Sequence, residues 1–273
     1  MSFRRIFGPF AAACLLGMTP DLPAAQADTS VNNDPLRSAV QFEIELGAGA
    51  IVKPKYPGAD TFLVSPFPIF GVGRFYVPGL GQVVEGEELK RGFFFYPSFD
   101  INGERKASDS SDLTGTTKVD WAVEVGLGGG YRHDWLRGFV EVRQGFNGHE
   151  GQVAEFGLDF ITTPIERVEF IFGPRASWAS NDYMGTYFGV TVDEASAPGS
   201  MLSAFNADAG FKTVGLAGRV RYDWTEQIAF HLRGEWDHFI GDAADSPIVK
   251  AGSTNQFSVG AGISYKFAFD LFN

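Results

Sequence analysis

Apolar and polar residues alternate along most of this chain with a period of two. Phe42, Ile44, Leu46, Ala48, Ala50 and Val52 interleave with Gln41, Glu43, Glu45, Gly47 and Gly49. Successive side chains of a strand point to opposite faces, so this stretch predicts a strand with one apolar face and one polar or small face. The pattern returns as Trp121, Val123, Val125, Leu127 and Tyr131 against Asp120, Glu124, Gly126, Gly128 and Arg132. It recurs as Ala154, Phe156, Leu158 and Phe160 against Glu155, Gly157 and Asp159. Val214, Leu216, Val220, Tyr222 and Trp224 oppose Thr213, Arg219, Arg221 and Asp223; Ile228, Phe230, Leu232 and Trp236 oppose His231, Arg233, Glu235 and Asp237. The last such run, Gln256–Phe269, ends in the aromatics Tyr265, Phe267 and Phe269.

A soluble sandwich alternates in the same way, with its charged face toward water. Two features favour a membrane wall. The apolar faces end in Tyr131, Trp178, Trp224, Trp236 and Tyr265, where an interfacial aromatic girdle would sit, and the opposite faces mix Arg and Glu with glycine, which suits a crowded lumen. Short connections are expected at His133-Asp134-Trp135, Thr163-Pro164-Ile165 and Thr225-Glu226, and long polar ones near Gly103–Thr117, Asn181–Ser203 and Gly241–Ser253. Outer-membrane barrels have short periplasmic turns and long outer loops. Both termini then lie in the periplasm and the strand number is even. Reading Thr61–Val84 as one long irregular strand gives ten strands; splitting it at Gly73 and adding a strand near Tyr183–Val192 gives twelve. Ten keeps every long loop outside. Pro66 and Pro68 make the second segment the least regular. The expected fold is therefore all-β, a transmembrane antiparallel up-and-down β-barrel of about ten strands, with twelve as the alternative.

The ends agree with that compartment. Arg4 and Arg5 precede a mostly apolar run, Ile6 to Met18, too short to span a bilayer as a helix, and Ala25-Gln26-Ala27 offers a small-x-small cleavage site. The expected organisation is a signal peptide over 1–27, a short periplasmic segment over 28–40 and an outer-membrane barrel over 41–273. Cys14 is the only cysteine, so the mature chain has no thiol for a disulfide, a metal or a nucleophile. Full-length net charge is −11; the signal carries Arg4, Arg5 and Asp21, so the mature chain carries −12 and repels nucleic acid. Glycine (34) and phenylalanine (27) are abundant at a mean hydropathy of only −0.04, as expected of a wall apolar outside and polar inside.

Several segments carry a family likeness. Tyr56-Pro57-Gly58-Ala59-Asp60 followed by Pro66-Phe67-Pro68 resembles the first hairpin of the MipA/OmpV family, the MltA-interacting outer-membrane proteins. Gly173–Trp178 leading into Tyr183, then Tyr187–Thr191, then Gly241-Asp242-Ala243-Ala244-Asp245-Ser246-Pro247-Ile248 follow in order, and the closing Gly262-x-x-Tyr265-x-Phe267 fits too. The tail Ala268–Asn273 runs past the expected terminal aromatic. The resemblance implies a noncatalytic scaffold of the Gram-negative envelope that links a lytic transglycosylase to a murein synthase during peptidoglycan remodelling, embedded in outer-membrane lipid. Its motif residues have an equally good structural reading: Tyr56-Pro57-Gly58 makes a tight turn, Pro setting φ and Gly accepting positive φ.

Candidate chemistry is thin. Of the four histidines, His231 falls on the predicted lumen face near Arg233 and Glu235, while His238 and Asp237 are strand neighbours and point apart. No Gly-x-Ser-x-Gly elbow occurs. A Ser-His-acid set assembled across strands stays open, because triads are defined by geometry. No His, Asp and Glu cluster has metal spacing; Asp109, Asp112 and nearby serines read as a solvated acidic loop. No cofactor is expected. Arg143, Arg175, Arg219, Arg221 and Arg233 share predicted inward faces with Glu43, Glu45, Glu124, Glu141, Glu155 and Glu235. Facing Arg and Glu would form an ion-paired plug, since a buried charge is costly alone. The functional alternative is a narrow polar pore or small-ligand pocket.

Overall fold

Alternation along the chain becomes one curled antiparallel sheet. The structure, a computed structural model, describes residues 42–77, 81–84 and 91–270. The expected signal segment 1–27 and the segment 28–40 lie outside the described residues. The strands are β1 (Phe42–Pro54), β2 (Phe62–Val77), β3 (Gly81–Val84), β4 (Arg91–Asn102), β5 (Ala122–His133), β6 (Leu136–Asn147), β7 (Gln152–Ile165), β8 (Val168–Ala179), β9 (Gly210–Asp223), β10 (Ile228–Phe239) and β11 (Asn255–Phe269). Their order is β3-β2-β1-β11-β10-β9-β8-β7-β6-β5-β4. The first and last strands pair directly, from Phe42–Phe269 to Val52–Val259. Ten long strands make one curled antiparallel wall, and the four-residue β3 pairs at its edge with the end of β2.

Three details depart from expectation. Thr61–Val84 is not one strand: β2 ends at Val77, and β3 returns along Arg74–Val77. Tyr183–Val192 adds no strand, which removes the twelve-strand alternative; Asn181–Phe188 is helix α1. The turn expected at Thr163–Ile165 comes later, because Ile165 still pairs with Val168 and Arg167 takes the positive φ of the bend, 68°. Pro66 and Pro68 sit inside β2 opposite Ala50 and Ala48. Residues two apart aim their N–H groups to the same side, so both missing donors face away from β1 and its ladder survives.

Burial of the two faces is the reverse of a soluble sandwich. Leu127 is 73% exposed and Phe93 75%, both on the outer face, while Glu45, Lys53, Asp100, Glu124, Arg137, Glu141, Arg143 and Asp159 are buried on the inner one. Leaving that much contiguous apolar surface in water is unfavourable by about 25 cal/mol per Å², so this exterior is a wall for lipid. Trp121, the residue before β5, and Tyr131, near its end, are ten positions apart at opposite rims. At about 3.3 Å per residue and a tilt near 40° they stand ~25 Å apart in height, the depth of a barrel's apolar band. No helix among the described residues is long and apolar enough to cross a membrane; the crossing is made by strands.

Connections at one rim are tight, as at Asp134–Trp135 and Glu166–Arg167. At the other they are long and built: 103–121, 180–209 with α1 and α2 (Val192–Ser196), and 240–254 with α3 (Gly241–Asp245) and α4 (Pro247–Ala251).

Candidate functional site

The long loops fold into a cap over the wall's outer rim. Tyr183, Met184, Tyr187 and Phe188 of α1 pack with Phe239, Ala243, Val249, Val119 and Val153 in one buried cluster. A second joins four loops through Tyr56, Ala59, Leu113, Val190, Leu202 and Ile248. Polar ties lock the loops together. Arg105, from the 103–121 loop, donates from Nη1 to Tyr187 O (2.8 Å) and from Nη2 to Thr186 O (3.3 Å), so it caps the C-terminus of α1. Burial lowers the Arg105 pKa, against the pull of nearby Glu194. Thr191 and Glu194 form a capping box on α2, and Glu194 also accepts from Thr117 N at 2.6 Å. Burial opposes ionisation of Glu194, yet hydrogen bonds from Thr117 and Thr191 outweigh it and hold the carboxyl below its ordinary value. Burial also raises the Tyr56 and Tyr187 hydroxyls above theirs.

Beneath the cap the lumen is ionic. Arg143, its side chain 1% exposed, meets three carboxylates: Glu124 at 2.9 Å, Glu141 at 2.7 Å and Glu155 at 2.9 Å. Tyr96 donates to Glu141 at 3.0 Å and Ser98 donates to its other oxygen. Asp159 takes Arg137 Nε at 3.0 Å and also Arg175. Arg221 reaches Glu45 at 2.6 Å, spanning the curl from β9 to β1. Arg219 and Arg233 stand farther from Glu169 (3.7 Å) and Glu235 (3.6 Å). His149 links the two regions: its ring meets Tyr183 and Tyr187 edge-on, and Nε2 lies 3.3 Å from Glu124.

His231 lies on the inward face of β10 with Arg233 and Glu235. Its ring reaches across to Glu45 of β1 (3.0 Å) and Ser264 of β11 (2.7 Å). Serine, histidine and acid do meet across strands, and Ser264 also donates to Glu45. Both contacts use the same nitrogen, Nε2, whereas a catalytic triad engages serine and acid through different ring nitrogens. Asp109 and Asp112 brace two single 3-10 turns, Ala107–Asp109 and Ser111–Leu113, through Lys106 N and Ser110. No group of three His, Cys, Asp or Glu among the described residues is placed to hold a metal ion.

A family model described as MltA-interacting protein MipA matches residues 46–267, both the wall and its cap. The chain belongs to the MipA family. No curated protein sequence matches it. Similar solved structures include an outer membrane channel from Pseudomonas putida F1 (10% identity, TM-score 0.41, covering 86% of this chain and 100% of that one). Vibrio cholerae OmpT is 7% identical (TM-score 0.32, 84% and 97% covered), and Neisserial surface protein A is 10% identical (TM-score 0.24, 83% and 97% covered). These are likenesses from which no function transfers.

The residues that carried the MipA resemblance gather mostly in the cap. Tyr56 and Tyr183 are buried there. Gly58 has φ +95°, and a Cβ on it would come within 2.9 Å of Val249; Pro57 precedes it in the turn. Gly241 has φ +55° at the start of α3. Asp242 accepts from Asp208 N at 2.8 Å. Ser246 donates to Phe188 O at 2.6 Å and caps α4, where Pro247 fills the first turn. Asp60 lies in the same 55–61 loop, while Trp178, Pro66 and Pro68 belong to the wall. Parity places Asp159 and Arg137 inward with Glu155 and Glu141, whereas His149 lies between β6 and β7, where the alternation assigns no face.

Proposed function

We propose that this MipA-family protein is a noncatalytic outer-membrane barrel that serves as an interaction scaffold of the cell envelope, with a lytic transglycosylase of the MltA type as partner. The observation that carries this reading is the family match over 46–267. The geometry supports it in one respect. The cap occupies the outer rim, so the surface left for a periplasmic enzyme is the opposite rim, with the turns at Asp134–Trp135, Glu166–Arg167 and Trp224–Gln227. The test is capture of a purified lytic transglycosylase by the refolded barrel in nanodiscs. Binding that weakens at least tenfold when Glu166, Arg167, Glu226 and Gln227 are replaced by Ser supports the reading. Absence of binding by the intact barrel overturns it. A murein synthase added as third component tests the bridging role: co-capture only through the barrel is the expected outcome.

A second reading, a narrow pore, draws on the charged lumen. Glu155 and Glu235 keep 32% and 22% of their side-chain surface accessible, so water reaches them. The cap argues for a silent barrel in a planar bilayer; steady single-channel steps would favour the pore.

A further inference from the structure

We propose that the lumen holds a binding site for a small oxyanion, a carboxylate or phosphate group, between Arg219 and Arg233. The two residues are direct cross-strand partners in the β9–β10 register, and both point inward. Like charges directly opposite each other in an antiparallel pair are destabilising. Arg137, Arg143, Arg175 and Arg221 have carboxylates at hydrogen-bond distance, whereas Arg233 meets Glu235 only at 3.6 Å, beyond a good N–H···O bond.

Arg233 supplies the second observation. It is only 6% exposed, and its Nε and Nη1 are buried without a hydrogen-bond partner among the described residues. A buried guanidinium with two unsatisfied donors is costly and rare in a finished structure. It is also held in place. Its stem lies over Gly260, where a Cβ would come within 3.2 Å of Cγ and Cδ, and its guanidinium sits 6.0 Å from the Phe67 ring.

Arg233 and Arg219 border a cavity of about 90 Å³ together with Arg175. A water needs roughly 10–15 Å³ on this measure, so there is room for several waters or one small anion. Of the acids on the same wall, Glu141 and Glu155 are engaged by Arg143. Glu235 and Asp237 continue the β10 face and limit the site to a compact ligand. A guanidinium fork matches the paired oxygens of a carboxylate or phosphate, and a ligand bridging two opposed arginines would both fill the free donors and relieve their repulsion.

The test uses the refolded mature chain in detergent, in a chloride buffer free of oxyanions. Inorganic phosphate and acetate are titrated against chloride at matched ionic strength, read by thermal unfolding and calorimetry. Saturable stabilisation by either anion is expected, at least tenfold weaker in Arg233→Met and unchanged in Arg91→Gln at the rim. Which anion binds more tightly assigns the ligand class. Should Arg233→Met fail to show heat-modifiable migration, Arg219→Met is read in its place. No saturable effect in the wild type beyond chloride, or an equal effect in the folded arginine variant, overturns the proposal.

Discussion

Cap and lumen are both buried, a few ångströms apart, and held by opposite physics. The cap is a small apolar core: Tyr183, Phe188, Phe239 and their neighbours bury rings against one another, and Phe188 meets Phe239 edge-to-face at 5.3 Å. Its strength is distributed, since each contact is weak and many exist. The lumen is a set of charges whose stability depends on every partner being present. The comparison teaches that a barrel can seal one end by packing and fill its middle by pairing, and that the two fillings fail differently under mutation.

The sharpest way to break that contrast is Arg143→Met. It strands Glu124, Glu141 and Glu155 without their shared cation. Removing one member of a buried ion pair costs about 3–5 kcal/mol, and with three acids left the upper end applies. Urea unfolding in lipid vesicles measures it. Neutralising Glu124 and Glu141 to Gln in the same chain should restore more than half the loss; no rescue would mean that packing, not charge, holds the lumen.

Phe188→Ala comes next, at ~3–4 kcal/mol for a buried aromatic. It should leave the wall folded and loosen the cap alone. Proteolysis of the 180–209 loop in variant vesicles, with heat-modifiable migration intact, is the expected pair of results. Loss of both together would mean that the cap and wall fold as one unit. Arg105→Met follows, at ~2 kcal/mol, because it removes two charge-assisted bonds to the end of α1. The same protease assay reads it, with cleavage slower than in Phe188→Ala.

The wall was legible because its period of two runs through strands which, β3 apart, have 12 to 16 residues, long enough for parity to settle which side chain faces inward. Arg143, Arg175, Arg219, Arg221 and Arg233 were found that way. Parity gives a face but no partner, so neither the triple coordination of Arg143 nor the meeting of His231 with Ser264 could be read. The cap was not legible. α1 has eight residues and α2, α3 and α4 have five each, too few turns to display a 3.6-residue period. Between strands such stretches read as polar loops, and Tyr183–Val192 passed for a possible strand. The family motif marked the right residues there, and only the fold shows that many of them touch.

The smallest effect sharpens the comparison from the cap side, through pH. Glu194 ties the 103–121 loop to α2 with its carboxyl held below the ordinary 4.5. A group whose folded-state pKa is depressed adds stability above the unfolded value and loses it as pH falls through the folded one. The cap should therefore hold from neutral pH down to about 4.5 and loosen below it. Hydrogen exchange at Thr117 and Ala195 would report this, faster at pH 3 than at pH 6 after correction for intrinsic rates. Glu194→Gln should exchange faster at pH 6 and lose the added dependence on acid, since the amide cannot ionise. The exchange of β6 amides near Arg143 serves as the lumen control. If they loosen in step with Thr117 under the same acid, and still do so in Glu194→Gln, the cap has no acid-sensitive tie of its own, and cap and lumen respond to protons as one body.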